Sequence, residues 1–528
     1  MKSRNIIIVM LALIFLAATL YLSISHYTDP YLGSHIVVSE ITNNEGELAY
    51  RPFENEDRGA MHVQINNVST KRGLTIMLSF LSLLMGLPLQ LFYLLPLGSI
   101  MVFLTAWLFI RRILDNNIAL SLLVALLVVL EVSNLGNMFN LNTHAWGFSL
   151  LFLIMYYSLN VLENVGNRFA NLFVLVSLIL SLTMIYYSLQ FVVFLIFAVV
   201  IGLGFFERKK TMNTTVINTL LILLGLVVVF SFFDDFFIKF VTDMFLNTTN
   251  LFNWIDNFIH NFLNTINIFG GSYTQSAGEF ALTNRPMFTL YLGFFYYLVL
   301  SLFVLAFIVK TYPKLRKGTI LVKEKFLLAL IIVSVLHFFI YLYLNQFVAY
   351  LALLLMPIVV FYTIKNYLPK KVLLTSVIIV LVLMKLFFNL YFDPIYQRAD
   401  YASYDSMSEW AKVHVIQYGD HYSLADLYMA ESILVHDQYH RVKGFYFLNK
   451  GINNFEYLYY PSEYLTYKNL DKENINYIFI SDVNKDKRVP LMYGISILFK
   501  PFGQVYLEDY ERVNKVYSSD VGSVYNYD

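Results

Sequence analysis

From about residue 89 to residue 391 the chain is a series of apolar runs joined by polar connections, and this pattern leaves few folds open. With an earlier run near the N-terminus, they fall at roughly 5–25, 89–110, 117–133, 146–163, 169–188, 190–206, 214–234, 287–309, 325–344, 347–364 and 371–391. Each is about 17–23 residues, the length a helix needs to cross a hydrocarbon core of about 30 Å. Backbone in lipid must satisfy its own polar groups, so these runs are expected as helices. The composition agrees: of 528 residues, 58% are hydrophobic and 14% charged, more apolar surface than a soluble domain can hide. The expected fold class is mainly α, a polytopic membrane protein with about eleven transmembrane helices and a small C-terminal α/β extracytoplasmic domain.

The basic residues orient these spans. With the N-terminus cytoplasmic, the inner loops hold Arg111-Arg112, Arg168, Arg208-Lys209-Lys210, Lys310–Lys325 and Lys365–Lys371. The short connections near 134–145, 189 and 345–346 have no Lys or Arg, as expected of outer loops. The apolar run Leu74–Met85 is too short to span and precedes Gly86-Leu87-Pro88, so it is expected as an interfacial helix. Counting it as a span would invert every later loop. Asn5–Ile24 follows Met1-Lys2-Ser3-Arg4 without a small-residue cleavage site, and reads as an uncleaved first helix.

Three regions then face outward: the first loop (26–88), a second loop (235–286) and the tail (392–528). The expected domains are therefore 1–391, a transmembrane unit carrying both loops, and 392–528, an extracytoplasmic unit. In the tail, Tyr404–Val415 has a helical pattern, and Val442–Phe447, Tyr477–Ile480 and Val524–Tyr527 are strand-like. Phe245–Phe269 has apolar residues at helical spacing and is expected as a second interfacial helix.

Several chemistries are excluded. The chain has no cysteine, which removes disulfides, thiolate metal sites and Cys nucleophiles. A net charge of +1 without a basic face removes nucleic acid as a partner. Membrane lipids are the expected surroundings.

The most suggestive acid is Asp29, about four residues beyond the first span. A carboxylate at that boundary can act as a general base or hold a divalent cation such as Mg or Mn. The competing reading is a cap for a helix starting at Pro30, since Asp-Pro is a good helix start. His35 follows, then Glu54 and Asp57 in a polar stretch; each is either a site residue or an ordinary loop residue. Inside the spans, Lys385 either snorkels or meets a lipid phosphate. Arg285 closes a polar stretch of the second loop that is either a linker or a gate over the site.

The layout resembles the GT-C superfamily of membrane glycosyltransferases, which includes protein mannosyltransferases and oligosaccharyltransferase catalytic subunits. The resemblance rests on an N-terminal span followed by Asp29-Pro30-Tyr31, on Lys71-Arg72-Gly73 through Gly86 to Arg111-Arg112, and on Ser408-Glu409-Trp410-Ala411, Tyr477–Asp482 and Val516-Tyr517 in the tail. It implies a polyprenyl-phosphate-linked sugar donor and a saccharide, lipid or protein acceptor on the outer face. It further implies a catalytic or metal-binding role for Asp29, assisted by Glu54 or Asp57. His35, Lys385 and Arg285 would bind substrate. No Trp-Trp-Asp-type acceptor motif is present, which argues against an oligosaccharyltransferase proper. Two other classes compete: a transporter or flippase of lipid-linked saccharide, and a non-catalytic envelope assembly protein. The transporter reading lacks paired halves, because the first loop and tail have no counterpart elsewhere in the chain.

Overall fold

The computed structural model describes residues 30–49, 52, 72–93, 97–134, 143–185, 187–205, 214–231, 287–344, 350–367, 380–381, 401–415, 421–437, 440–445, 463–481, 488–490, 496–498, 507–519 and 522–527. The first helices among the described residues are α1 (Pro30–Glu45) and α2 (Arg72–Met85), followed by a 3₁₀ turn at Leu89–Tyr93. Among the described residues, nine longer helices form a bundle: α3 (Leu97–Ile113), α4 (Ile118–Asn134), α5 (Thr143–Leu162), α6 (Arg168–Ile185), α7 (Tyr187–Phe205), α8 (Thr214–Ser231), α9 (Met287–Lys317), α10 (Val322–Leu344) and α11 (Tyr350–Tyr367). Each coincides with one of the expected apolar runs. Over their described residues, three are long and apolar enough to cross a membrane: Thr143–Leu162, Arg168–Ile185 and the Leu298–Lys317 part of α9. The runs 5–25 and 371–391 lie outside the described residues except at 380–381, and Phe245–Phe269 lies wholly outside them.

Within the run expected at 89–110, the described residues form the 3₁₀ turn and α3, which runs on to Ile113. Helix α9 extends past its expected end to Lys317, its last turn carrying Lys314, Arg316 and Lys317 at the pole that favours cations.

Helix α5 is the most enclosed bundle helix, buried along nearly its whole length against α3 and α6. Phe109 of α3 meets Phe152 of α5 at 6.1 Å and Phe326 of α10 at 6.3 Å between ring centroids. Phe307 of α9 meets Tyr362 of α11 edge-on at 5.9 Å. Close aromatic packing of this kind holds apolar helices together where lipid removes the hydrophobic drive between them.

One end of the bundle is charged. Asp115, in the α3–α4 turn, accepts from both Lys323 and Lys365, the latter at 2.7 Å. Burial pushes the Asp115 carboxyl up, but hydrogen bonds and charge from the two ammoniums overcome this and hold it below the usual carboxylate range. Arg112 pairs with Glu163 at the end of α5. Glu324, its side chain only 2% exposed, accepts from Lys314 Nζ at 2.6 Å and Tyr367 Oη at 2.7 Å. Its other oxygen accepts the Leu321 N–H at 3.1 Å, the reach-back of a third-position Glu that closes the first turn of α10. The turns grouped here, 111–116, 163–168, 314–325 and 365–367, are those the charge pattern assigns to one side.

The tail adds α12 (Tyr401–His414), β1 (Tyr422–Asp426), α13 (Leu427–His436), β2 (Val442–Phe445), α14 (Glu463–Glu473), β3 (Ile475–Ser481), β4 (Arg488–Pro490), β5 (Ser496–Leu498), β6 (Val513–Ser519) and β7 (Gly522–Tyr527). Five strands make a mixed sheet in the order β2-β1-β3-β7-β6, with β1 parallel to β2 and β3 and with β7 antiparallel to β3 and β6. Strands β4 and β5 form a separate hairpin. The small α/β unit is thus present, with expected elements at α12, β2, β3 and β7. Strand β1, helices α13 and α14, and strand β6 go beyond that expectation.

Replacing Glu324 with Ala strands Lys314, the Tyr367 hydroxyl and a backbone N–H. The expected loss is about 1–3 kcal/mol of stability, read as a lowered thermal midpoint of the detergent-solubilised protein.

Candidate functional site at the junction of the first loop and the tail

Helix α1 begins at Pro30, the residue after Asp29, as the Asp-Pro pair predicts. Every residue from Ser34 to Ser39 is at most 1% exposed, so this stretch of the helix is buried on all sides, while Asn44 and Glu45 at its end are exposed. Two different surfaces enclose it.

The first is α2. His35 and Ser39 are four apart on α1, and Thr75 and Ser79 are four apart on α2, so each pair lines one helix face. His35 Nδ1 lies 3.5 Å from Thr75 Oγ1. Ser39 Oγ donates to the His35 carbonyl at 2.7 Å and lies 3.3 Å from that of Thr75, while Ser79 Oγ lies 3.4 Å from the Ser39 carbonyl. All four side chains are buried, and these contacts knit the two helices along a narrow polar seam.

The second surface belongs to the tail. Ile36, Val37, Val38 and Ile41 of α1 share one apolar core with Met429, Ala430, Ile433 and Leu434 of α13, Met407 and Ala411 of α12, and Phe479 and Val524 of the sheet. Leu74 and Leu78 of α2 and Phe92 belong to the same core. Leu97 and Met101 of α3 pack against it, and Trp146 of α5 packs against both this core and that of the bundle. The junction therefore lies at the start of α3 and α5, opposite the charged end.

Two glycines set close approaches. A Cβ on Gly73 would fall 2.6 Å from Ile185 Cγ1 and 3.0 Å from the Met184 carbonyl oxygen, so α2 meets the end of α6 backbone to side chain. A Cβ on Gly522 would fall 2.8 Å from the Ile480 carbonyl oxygen and strike Met407, where α12 crosses the β3–β7 pair. In the tail, Trp410 meets Tyr517 in a tilted ring contact with centroids 5.1 Å apart, so two segments quoted for the resemblance meet in space. Asp405 accepts from His436 at 2.6 Å and Ser408 bonds Ser432 at 2.9 Å, which fixes α12 on α13.

Of the sequence-predicted site residues, the structure describes His35 and places it in the seam, where its visible work is to join α1 to α2. Asp29, Glu54, Asp57, Arg285 and Lys385 lie outside the described residues. Among the described residues no three His, Asp or Glu side chains come together to hold a metal ion. Sequence reasoning missed the enclosure of α1 by α13; its one signal is the consecutive apolar run Ile36-Val37-Val38 flanked by Ser, which suits burial on more than one side.

These elements define a mainly helical protein with apolar helices and a small mixed-sheet tail docked on its first loop. No protein-family model matches the sequence, and no curated protein matches it. Among solved structures, the chain is similar to the Archaeoglobus fulgidus oligosaccharyltransferase tethered to an acceptor peptide containing the NVT sequon. The TM-score is 0.49 at 13% identity, over 90% of this chain and 70% of that one. A second crystal structure of that enzyme, in complex with Zn and sulfate, aligns with a TM-score of 0.48 at 12% identity, over 90% and 68% of the two chains. Likeness of this degree assigns no residue a role.

Ile433→Ala removes a buried anchor of the junction at a cost of about 2–5 kcal/mol. Hydrogen exchange in residues 30–45 is expected to speed up in this variant, although the substitution lies in the tail. Gly73→Ala overpacks the contact with α6 by about 1–3 kcal/mol, and a thermal midpoint equal to wild type would show that Ile185 yields freely.

Proposed function

We propose that this chain is a membrane glycosyltransferase of GT-C-like architecture, with about eleven spans, a cytoplasmic N-terminus and an extracytoplasmic tail. It would transfer a sugar from a polyprenyl-phosphate-linked donor to an acceptor hydroxyl on the outer face. The observation that carries the reading is the burial of Ser34–Ser39 in α1, a helix whose first residue follows Asp29. A reacting carboxylate must be held to within about 1 Å, since larger misplacement costs on the order of a hundredfold in rate. A helix packed on one side by α2 and on the other by the tail supplies such a fixed base.

In this proposal Asp29 takes the proton of the acceptor hydroxyl as its oxygen attacks the anomeric carbon. The bond from that carbon to the phosphate oxygen breaks, and the lipid phosphate leaves with the bonding pair. Lys385 or Arg285 balances the departing charge, and Glu54 or Asp57 assists Asp29. A divalent cation, Mg or Mn, bound by Asp29 is the alternative use of the same carboxylate. His35 acts from within the seam by fixing the pitch of α1 rather than by touching substrate.

Asp29→Asn separates chemistry from capping, because Asn caps a helix as well as Asp does. Sugar transfer from polyprenyl-phosphate donors is expected to fall by roughly 10²–10⁴-fold with the thermal midpoint unchanged. Wild-type transfer by this variant sinks the assignment of Asp29.

A further inference from the structure

Helix α9 has two unlike faces. Tyr296, Leu300, Phe307 and Thr311 are at most 1% exposed and turn toward the bundle. On the opposite side Leu298, Leu302, Leu305, Val309 and Tyr312 are 41–60% exposed and follow one another at helical spacing, so they form one stripe. The next step of the same series is Arg316, also exposed. Apolar side chains, then a tyrosine, then a guanidinium is the order in which a bilayer passes from hydrocarbon through interface to headgroup.

The length of the helix fits that order. The apolar run ends near residue 309, yet α9 continues to Lys317. From Lys310 to Lys317 it rises about 10 Å, at about 1.5 Å per residue, enough to cross the headgroup layer of one leaflet, about 5–8 Å. Lys310 and Lys317 are exposed, and their spacing puts them on one flank of the stripe, beside Arg316. The acids at this end are already engaged: Asp115 by Lys323 and Lys365, Glu163 by Arg112, and Glu324 by Lys314. Among the described residues, no acid pairs with Lys310, Arg316 or Lys317. Lys314 reaches Glu324 at 2.6 Å and the Tyr367 hydroxyl at 3.1 Å, which anchors the end of α9 to α10 and α11. The three unpaired cations therefore stand on an anchored helix rather than on a loop.

We propose that the end of α9 is a binding site for an anionic phospholipid. Lys310, Arg316 and Lys317 hold its phosphate-bearing headgroup, Arg316 with two parallel N–H donors, and the stripe below Tyr312 takes an acyl chain. This goes beyond the charge bias that orients the spans. A bias needs only an excess of cations, whereas a site needs them unpaired, anchored and continuous with an apolar track. The occupant is lipid rather than a second copy of the chain. A copy meeting the stripe about a two-fold axis along the membrane normal would set these same cations against each other. The proposal rests on the reading of α9 as a membrane span and is independent of any transfer activity.

The test offers the full chain in detergent an equal mixture of phosphatidylglycerol and phosphatidylcholine with identical acyl chains, and native mass spectrometry counts the lipid bound. Wild type is expected to retain phosphatidylglycerol preferentially. The triple variant Lys310→Gln, Arg316→Gln, Lys317→Gln is expected to lose about tenfold or more of that preference, since one basic residue near an anionic surface is worth about fivefold. Arg316→Gln alone, with a loss of about fivefold, decides the matter if the triple variant does not fold. The variant Lys412→Gln, Lys468→Gln, Lys472→Gln removes the same charge from exposed tail positions and is expected to keep the preference. Wild type without a preference overturns the site. So does a tail variant that loses as much as the α9 variant, because the effect is then one of net charge. Glycerophosphoglycerol, the headgroup without chains, is expected to compete poorly; competition equal to that of the lipid removes the stripe from the site and overturns the proposal. A lipid-free dimer as the main species overturns it in favour of a second copy.

Discussion

Everything at the junction depends on one apolar contact, that between α1 of the first loop and α13 of the tail. These elements are separated by nearly the whole bundle in sequence, yet Ile36, Val38 and Ile41 are buried in the same core as Met429, Ile433 and Leu434. Burying such side chains contributes about 1.5–3 kcal/mol each, which must offset the ordering of two segments that have no covalent neighbourhood. The polar seam to α2 works differently. Its hydroxyls and imidazole add little net energy, but they specify the register at which α1 lies on α2, because a one-residue shift would bury them unpaired.

The two ends of the bundle divide the labour between them. Ion pairs at Asp115, Glu163 and Glu324 gather several turns at one end, and apolar packing gathers the loop and tail at the other. Of these ion pairs, only the Glu324 carboxylate is nearly removed from water, so it is the one whose loss should be felt. The Asp115 carboxylate is half exposed and acts chiefly as a bridge between α10 and α11.

The bundle helices were the legible part of the chain, because an apolar run of 17 or more residues has few other uses. The start of α1 was legible for a local reason, the Asp29-Pro30 pair. The turn at Gly86-Leu87-Pro88 was legible too, and its glycine has the positive φ that ends α2. Strand β1 was not, since Tyr422–Asp426 is short and leads straight into α13 without a turn residue. Neither was β6, whose pattern is obscured by the irregular register near Lys515–Tyr517. The surroundings of His35 were hidden for another reason: which element a histidine packs against depends on tertiary packing. Sequence spacing cannot distinguish a seam from a site.

The shared core also dictates an order of events during synthesis. Helix α1 is made before the bundle, but the tail surface that covers Ile36 and Ile41 is made more than 360 residues later. At synthesis rates of about 5–20 residues per second, that surface is absent for tens of seconds. Throughout that interval the part of α1 that the tail covers waits open, while α2 holds the helix through the seam and through Leu74 and Leu78. The tail thus follows the bundle in synthesis yet closes the loop that precedes it, so a ribosome that stops between the two leaves that loop open to quality control.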